Sequence, residues 1–206
     1  MQKYDSIIFD LDGTLWDTVV NVVNIWNKAL VYAGLEPTLS EEELKRCMGL
    51  QIEQIFERVI PHATEKQKAD VKAYCENYER QLLAGSGGLL YPRVEETLQA
   101  LQSTHRLFIV SNCQVGYINA FFDAHHLRKY FEDFECAGRT RKPKGENIRL
   151  LADRAELKKP VYIGDTATDR DAAAEAGVDF IYAAYGFGDI ESPIKTNAFS
   201  DIPNLV

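Results

Sequence analysis

Residues 6–14 read SIIFDLDGT, and the fold is decided by how that stretch begins and how it stops. A short run rich in Ile and Phe, residues 6–11, is what a strand buried on both faces looks like. Asp10 and Asp12 close it, two residues apart and so on one face of a regular strand. Gly13 then lets the backbone turn sharply, and Thr14 follows. In open α/β sheets, ligands bind beyond the carboxyl ends of the strands, where these carboxylates would lie. An EF-hand calcium loop requires acidic or amide residues at positions one, three and five before its glycine. Here glycine follows the second aspartate directly, so that reading fails. Taken alone, the stretch also reads as a chance acidic turn.

Four further short apolar runs resemble the first: residues 107–110 (LFIV), 134–137 (FECA), 161–163 (VYI) and 180–184 (FIYAA). Helical patterns cover 94–102, 115–125, 147–154 and 169–176. Alternation of this kind predicts an α/β fold with a doubly wound, Rossmann-like parallel sheet. The stretch 19–83 breaks the rhythm with consecutive helices and no strand. Helices are expected over 19–33, ended by Gly34; from Ser40, where Glu43 completes a capping box; over 51–60, ended by Pro61; and from Thr64 to Leu83. We therefore expect an all-helical domain, residues 16–87, inserted into a core made of 1–15 and 88–206. The glycine-rich segment 85–88 reads equally as a hinge or as an ordinary loop, and the chain from Gly186 onward as irregular structure.

The 206 residues carry 31 acidic and 23 basic side chains, a formal net charge of −8. That balance repels a phosphate backbone and argues against nucleic acid as a general partner. No stretch approaches the ~20 apolar residues of a membrane span, and MQKYDSIIFD lacks the features of a signal peptide. A soluble, cytoplasmic protein is expected. Cys47, Cys75, Cys113 and Cys136 form no CxxC pair and read as reduced, mostly buried thiols. His62, His105, His125 and His126 show no ligand spacing and read as surface residues.

Three more strand ends carry polar chemistry. Ser111 and Asn112 follow LFIV, offering a hydroxyl and an amide to a phosphate oxygen, although the pair is also a good turn former. Residues 139–144 (RTRKPK) follow FECA and are the densest basic cluster in the chain; one of these cations would neutralise a phosphate, or the whole is a solvated loop. Residues 164–169 (GDTATD) follow VYI and add Asp165 and Asp169, the latter also readable as a helix cap. Four carboxylates cannot converge fully charged without a cation, so convergence implies Mg²⁺ or a similar ion.

DLDGT, Ser-Asn, a lysine and GDTATD, in that order and each behind a strand, resemble the haloacid dehalogenase superfamily of phosphatases and phosphotransferases. The helical insert is similar to the small cap of phosphoglycolate-phosphatase-like and β-phosphoglucomutase-like members. The resemblance implies that Asp10 is the nucleophile and a Mg²⁺ ligand, and that Asp12 is the general acid and base, its carbonyl on the metal. It also implies that Thr14, Ser111 and Asn112 contact phosphate, that Asp165 ligates the metal and that Asp169 supports it. The lysine is Lys144, which sits just before a helix, or Lys142, which precedes a proline. The activity implied is hydrolysis of a small phosphorylated metabolite; a phosphosugar mutase and a non-catalytic binding protein are the alternatives. The chain is expected to be a monomer or a homodimer. Trp16, between the nucleophile loop and the insert, reads equally as a substrate contact or as packing, whereas Trp26 reads as core.

Overall fold

The computed structural model describes residues 3–206, except for the side chains of Arg80, Leu82 and Ser86. The chain opens with β1 (Ser6–Phe9), a short β2 (Trp16–Asp17), and helices α1 (Val19–Tyr32), α2 (Glu41–Lys45), α3 (Ile52–Val59) and α4 (Glu65–Ser86). Then come β3 (Leu89–Leu90), α5 (Val94–Gln102), β4 (Arg106–Ser111), α6 (Tyr117–His125), β5 (Asp133–Cys136) and the one-turn α7 (Ala137–Thr140). The rest comprises α8 (Lys144–Arg154), β6 (Pro160–Gly164), α9 (Ala167–Ala176), β7 (Asp179–Ala183) and β8 (Lys195–Thr196).

The main sheet has the order β5-β4-β1-β6-β7-β8, and every pairing in it is parallel. The direction in which successive strands are added reverses at β1, with β4 and β5 on one side and β6 to β8 on the other. That is the switch point at which doubly wound sheets bind ligands. All five runs expected to be strands are strands. Their side chains are buried on both faces, Ile7, Phe9, Ile109 and Ile163 in one layer and Ile8, Phe108, Val110 and Tyr162 in the other. Burial on both faces explains why these runs show no alternation.

The tail differs from expectation. β8 adds a sixth, edge strand, and a 3₁₀ turn at Phe199–Asn204 buries Phe199 and Ile202 in the core. Two-residue strands carry too little pattern to be read.

Apolar side chains of α1 to α4 form a cluster of their own, centred on Ile25, Trp26, Leu30, Phe56 and Val71. Ser40 and Thr64 each make a capping box, with Glu43 and Gln67. Helix α4 runs three residues beyond Leu83 and passes through Gly85; of the four glycine-rich positions it is Gly87 that takes a positive φ, 65°. Both connections to the helical segment are tied together, since β2 pairs antiparallel with β3. Trp16 in β2 is fully buried in the main core, stacked edge-on against Tyr117, Phe121 and His125. Packing is therefore its role. The histidines also depart from expectation: His105 is buried and His125 is half-buried against Trp16 and Phe121. Nothing in their spacing announced it, because burial here follows from the neighbouring elements.

All four cysteines are free, three of them buried. Ser111 pairs with Cys136 across β4 and β5. That register brings the thiols of Cys113 and Cys136, far apart in sequence, into hydrogen-bonding contact.

Candidate active site

β4, β1 and β6 lie side by side, and Ser111, Asp10 and Asp165 stand at or just beyond their carboxyl ends. Parallel register therefore converges three motifs spread over more than 150 residues of sequence. The Asp10 amide donates to the Ile163 carbonyl at 2.8 Å, which carries the β1–β6 ladder one step past the strand and holds Asp10 in place. Asp169 arrives on the first turn of α9. The cap of that helix is Thr166, and Asp169 is its partner in the capping box: its Oδ2 accepts from the Thr166 amide and hydroxyl at 2.9 and 2.7 Å. A single residue thus both starts a helix and points its other oxygen into the site. Gly164 makes this possible, since a Cβ there would lie 2.5 Å from Asp169 Cγ. Gly13, at φ 81°, has the same function for Asp165, whose Oδ2 would be 2.2 Å from an added Cβ.

Of the two candidate lysines, Lys144 enters the site. Its Nζ donates to Asp10 at 2.9 Å and to Asp169 Oδ1 at 2.6 Å, with all three side chains almost fully buried. Lys142 is exposed and pairs with Glu146 at 2.6 Å. Arg139 turns back to the buried Glu135, so the basic cluster disperses to three destinations. Asn147 braces the bend before α8, accepting from the Thr140 hydroxyl at 2.7 Å and donating to the Lys142 carbonyl.

Asp10, Asp165 and Asp169 each offer an oxygen within 4.8 Å of the others. Asp165 Oδ1 is buried with no hydrogen-bond partner, while Oδ2 accepts from the Phe187 amide at 2.7 Å. Burial raises the Asp10 and Asp165 pKa values, and the neighbouring Asp169 raises both further; Lys144 opposes this. Burial alone would discharge Lys144, but Asp10 and Asp169 outweigh it and push its pKa up, keeping it protonated. Fully ionised, three carboxylates against one ammonium would leave two negative charges in a buried site. An all-oxygen donor set with that excess, and one oxygen unsatisfied, fits a hard divalent cation.

The side chain of Asp12 is turned away from this cluster. Its Oδ1 accepts from the Thr18 and Tyr117 hydroxyls at 2.8 and 2.9 Å, and those hydroxyls lie 2.9 Å from each other. Desolvation raises the Asp12 pKa to about 6 against the pull of these hydrogen bonds. Neither Thr18 nor Tyr117 was picked out from sequence. Thr14 is buried, its hydroxyl without a hydrogen-bond partner. Ser111 is buried with its Oγ accepting from the Cys113 amide. Asn112 uses its amide nitrogen on the Gly49 carbonyl at 2.8 Å, in the loop before α3.

That loop and helices α1, α3 and α4 roof the site. The cavity between them and the strand ends holds about 650 Å³ of empty space, including its opening to solvent. Asp10, Asp12, Ser111 and Asn112 form its floor, and Val22, Trp26, Leu44, Ile52 and Glu79 line the roof. Glu79, on α4, was not anticipated, because its surroundings in sequence (YCENYERQ) read as a solvated helix face. It is 8% exposed, accepts from Trp26 Nε1 at 3.2 Å, and has a pKa raised to about 7 by burial. Trp26 packs on Phe56 as expected and also faces the cavity.

A parallel sheet with these acidic strand ends and a helical roof defines a class of α/β hydrolytic enzyme. The sequence profile described as haloacid dehalogenase-like hydrolase matches residues 7–183, and the chain belongs to that family. A phosphoglycolate phosphatase from Agrobacterium fabrum is 29% identical over 191 residues, covering 89% of this chain and 82% of its own. Another from Vibrio parahaemolyticus is 28% identical over 207 residues, covering 95% and 90%. In fold, the chain superposes on the crystal structure of a predicted phosphoglycolate phosphatase from Haemophilus somnus with a TM-score of 0.89. That pair is 23% identical and covers 100% and 99% of the two chains. Among the described residues no helix is long and apolar enough to cross a membrane.

Proposed function

We propose that this enzyme is a Mg²⁺-dependent phosphatase that hydrolyses the phosphomonoester of a small molecule through an aspartyl-phosphate on Asp10. The observation that carries the reading is the buried Asp10–Lys144–Asp169 contact set beside the unsatisfied Asp165 oxygen, at the floor of a roofed cavity. The names of its relatives support the same class of reaction. Asp10, Asp165 and Asp169, with the Asp12 carbonyl, would hold the ion, which when bound supplies positive charge to offset that on the transferring oxygens.

In this reading Asp10 attacks phosphorus, and the bond to the leaving alcohol breaks as Asp12 delivers its proton to that oxygen. Asp12 then takes a proton from the water that cleaves the aspartyl-phosphate, and phosphate leaves. A carboxyl with a pKa near 6 is suited to both duties. Thr18 and Tyr117 hold Asp12 away from Asp10, which keeps acid and nucleophile distinct. Lys144 neutralises Asp10 and aims it, and Ser111 binds a phosphoryl oxygen. Residues 16–87 act as a cap that excludes bulk water, which favours small substrates.

Phosphate release from 4-nitrophenyl phosphate, measured with Mg²⁺ and with EDTA, tests the proposal. Release that needs the metal and disappears in Asp10→Asn is expected. Release that survives Asp10→Asn overturns the nucleophile assignment.

A further inference from the structure

Glu79 is a buried carboxylate that the chemistry above does not use. It shares the cavity with Asp12, close enough that the charge of Asp12 acts on it. Since Asp12 would protonate the leaving oxygen, the leaving alcohol must lie between Asp12 and the roof that carries Glu79. The rest of that roof is apolar: Val22, Leu44, Met48, Leu50, Ile52 and Ile55. Lys144 lies buried behind Asp10 on the floor, and among the described residues no lysine or arginine stands on the roof of this cavity. The larger hollow beside it contains Lys72 and Arg141, but also Glu53 and Glu76, with Lys72 paired to Glu53 at 3.2 Å. Its cations are thus matched by its own carboxylates.

We infer that Glu79 sets substrate choice, so that the cavity takes the phosphomonoester of a short apolar alcohol bearing an amine and rejects one bearing a carboxylate. The inference rests on the phosphatase reading and goes against the substrate for which the relatives are named. A carboxylate on the alcohol would meet the buried Glu79 beneath an apolar roof that offers it no cation, and like charges so placed repel. An ammonium would meet a hydrogen-bond acceptor already desolvated and oriented by Trp26 Nε1.

Three esters of equal length separate the possibilities: 3-aminopropyl phosphate, propyl phosphate and the phosphate ester of 3-hydroxypropanoate. For the Mg²⁺-loaded enzyme, kcat/KM is expected to fall in that order, with at least about a tenfold gap between the first and the last. Glu79→Gln retains an acceptor for Trp26 and removes the charge. It is expected to shrink that gap to within about threefold and to raise kcat/KM for the carboxylate ester. Trp26→Phe removes the hydrogen bond and leaves the charge, so the order should persist; a purely structural Glu79 would not produce this split. Equal or better turnover of the carboxylate ester, or a ratio indifferent to Glu79→Gln, overturns the inference. Where 4-nitrophenyl phosphate is still hydrolysed in an Asp10-dependent manner, the phosphatase reading survives that failure. If no ester is hydrolysed at all, both fall together.

Discussion

The floor and the roof of the cavity are built on opposite principles. The floor is polar and crowded, its carboxylates, ammonium and hydroxyl fixed by strand ends and two helix starts. The roof is mostly apolar helix surface, with one carboxylate held by one indole. The floor groups stand at the ends of a hydrogen-bonded parallel sheet and on the first turns of α8 and α9. Each roof group is placed by helices packed on one another, tied to the core by the β2–β3 ribbon and by contacts such as Asn112 to Gly49. On the function proposed, chemistry belongs to the sheet-end floor and, on the inference drawn from Glu79, selection to the separately packed roof, a division that substitutions on either side can break or sharpen.

The largest effect is expected on the floor. Asp10→Asn should lower kcat by at least about 10³-fold while leaving the fold intact, as circular dichroism would verify. Lys144→Met should next cost roughly 3–5 kcal/mol in urea unfolding with EDTA, because it leaves Asp10 and Asp169 buried without their cation. Mg²⁺ should recover part of that loss. Trp16→Ala should cost a similar 3–5 kcal/mol through the cavity it leaves in the core. A Trp16 that instead governed KM at unchanged stability would erase the distinction between floor and roof.

The roof should show itself through pH. The Glu79 pKa is raised from 4.5 to about 7, with burial as the main cause and Asp12 and Glu76 adding to it against the Trp26 hydrogen bond. Between those values the folded protein binds more protons than the unfolded chain, so this group's contribution to stability falls as pH rises from about 4.5 to 7. Glu79→Gln should therefore match the native protein near pH 4 and exceed it at pH 8, by up to roughly 3 kcal/mol. Parallel melting curves for the two proteins across that range would contradict the account. The smallest effect is expected from Lys142→Ala, within about 0.5 kcal/mol, because its pair with Glu146 is solvated.

Legibility followed the same division. The parallel sheet, the helical insert, the capping box at Ser40 and the gathering of Asp10, Asp165 and Asp169 were readable because each rests on local pattern or on a strand end; the cap of α9 was not, since Thr166 takes the position at which Asp169 was readable as the cap, and Asp169 is its partner in the box. Three other features were not. Trp16, beside the nucleophile loop in sequence, is core packing, whereas Trp26, ten residues on, faces the cavity. Thr18 and Tyr117 hold Asp12 although neither belongs to a motif. Glu79 reads in sequence as one more charge on a helix of mixed charge.

By itself, then, the amino-acid sequence determined the order of buried strands and the polar residues just beyond them. Strand burial and strand ends are written in short runs of neighbouring residues, and parallel pairing brings the ends together without further instruction. Which lysine meets Asp10, which tryptophan sees the cavity and where Glu79 points were decided by tertiary structure alone. Each depends on the rotation of one helix against another, and neighbours distant in the chain supply the burial and charge that turn an ordinary side chain into part of a site.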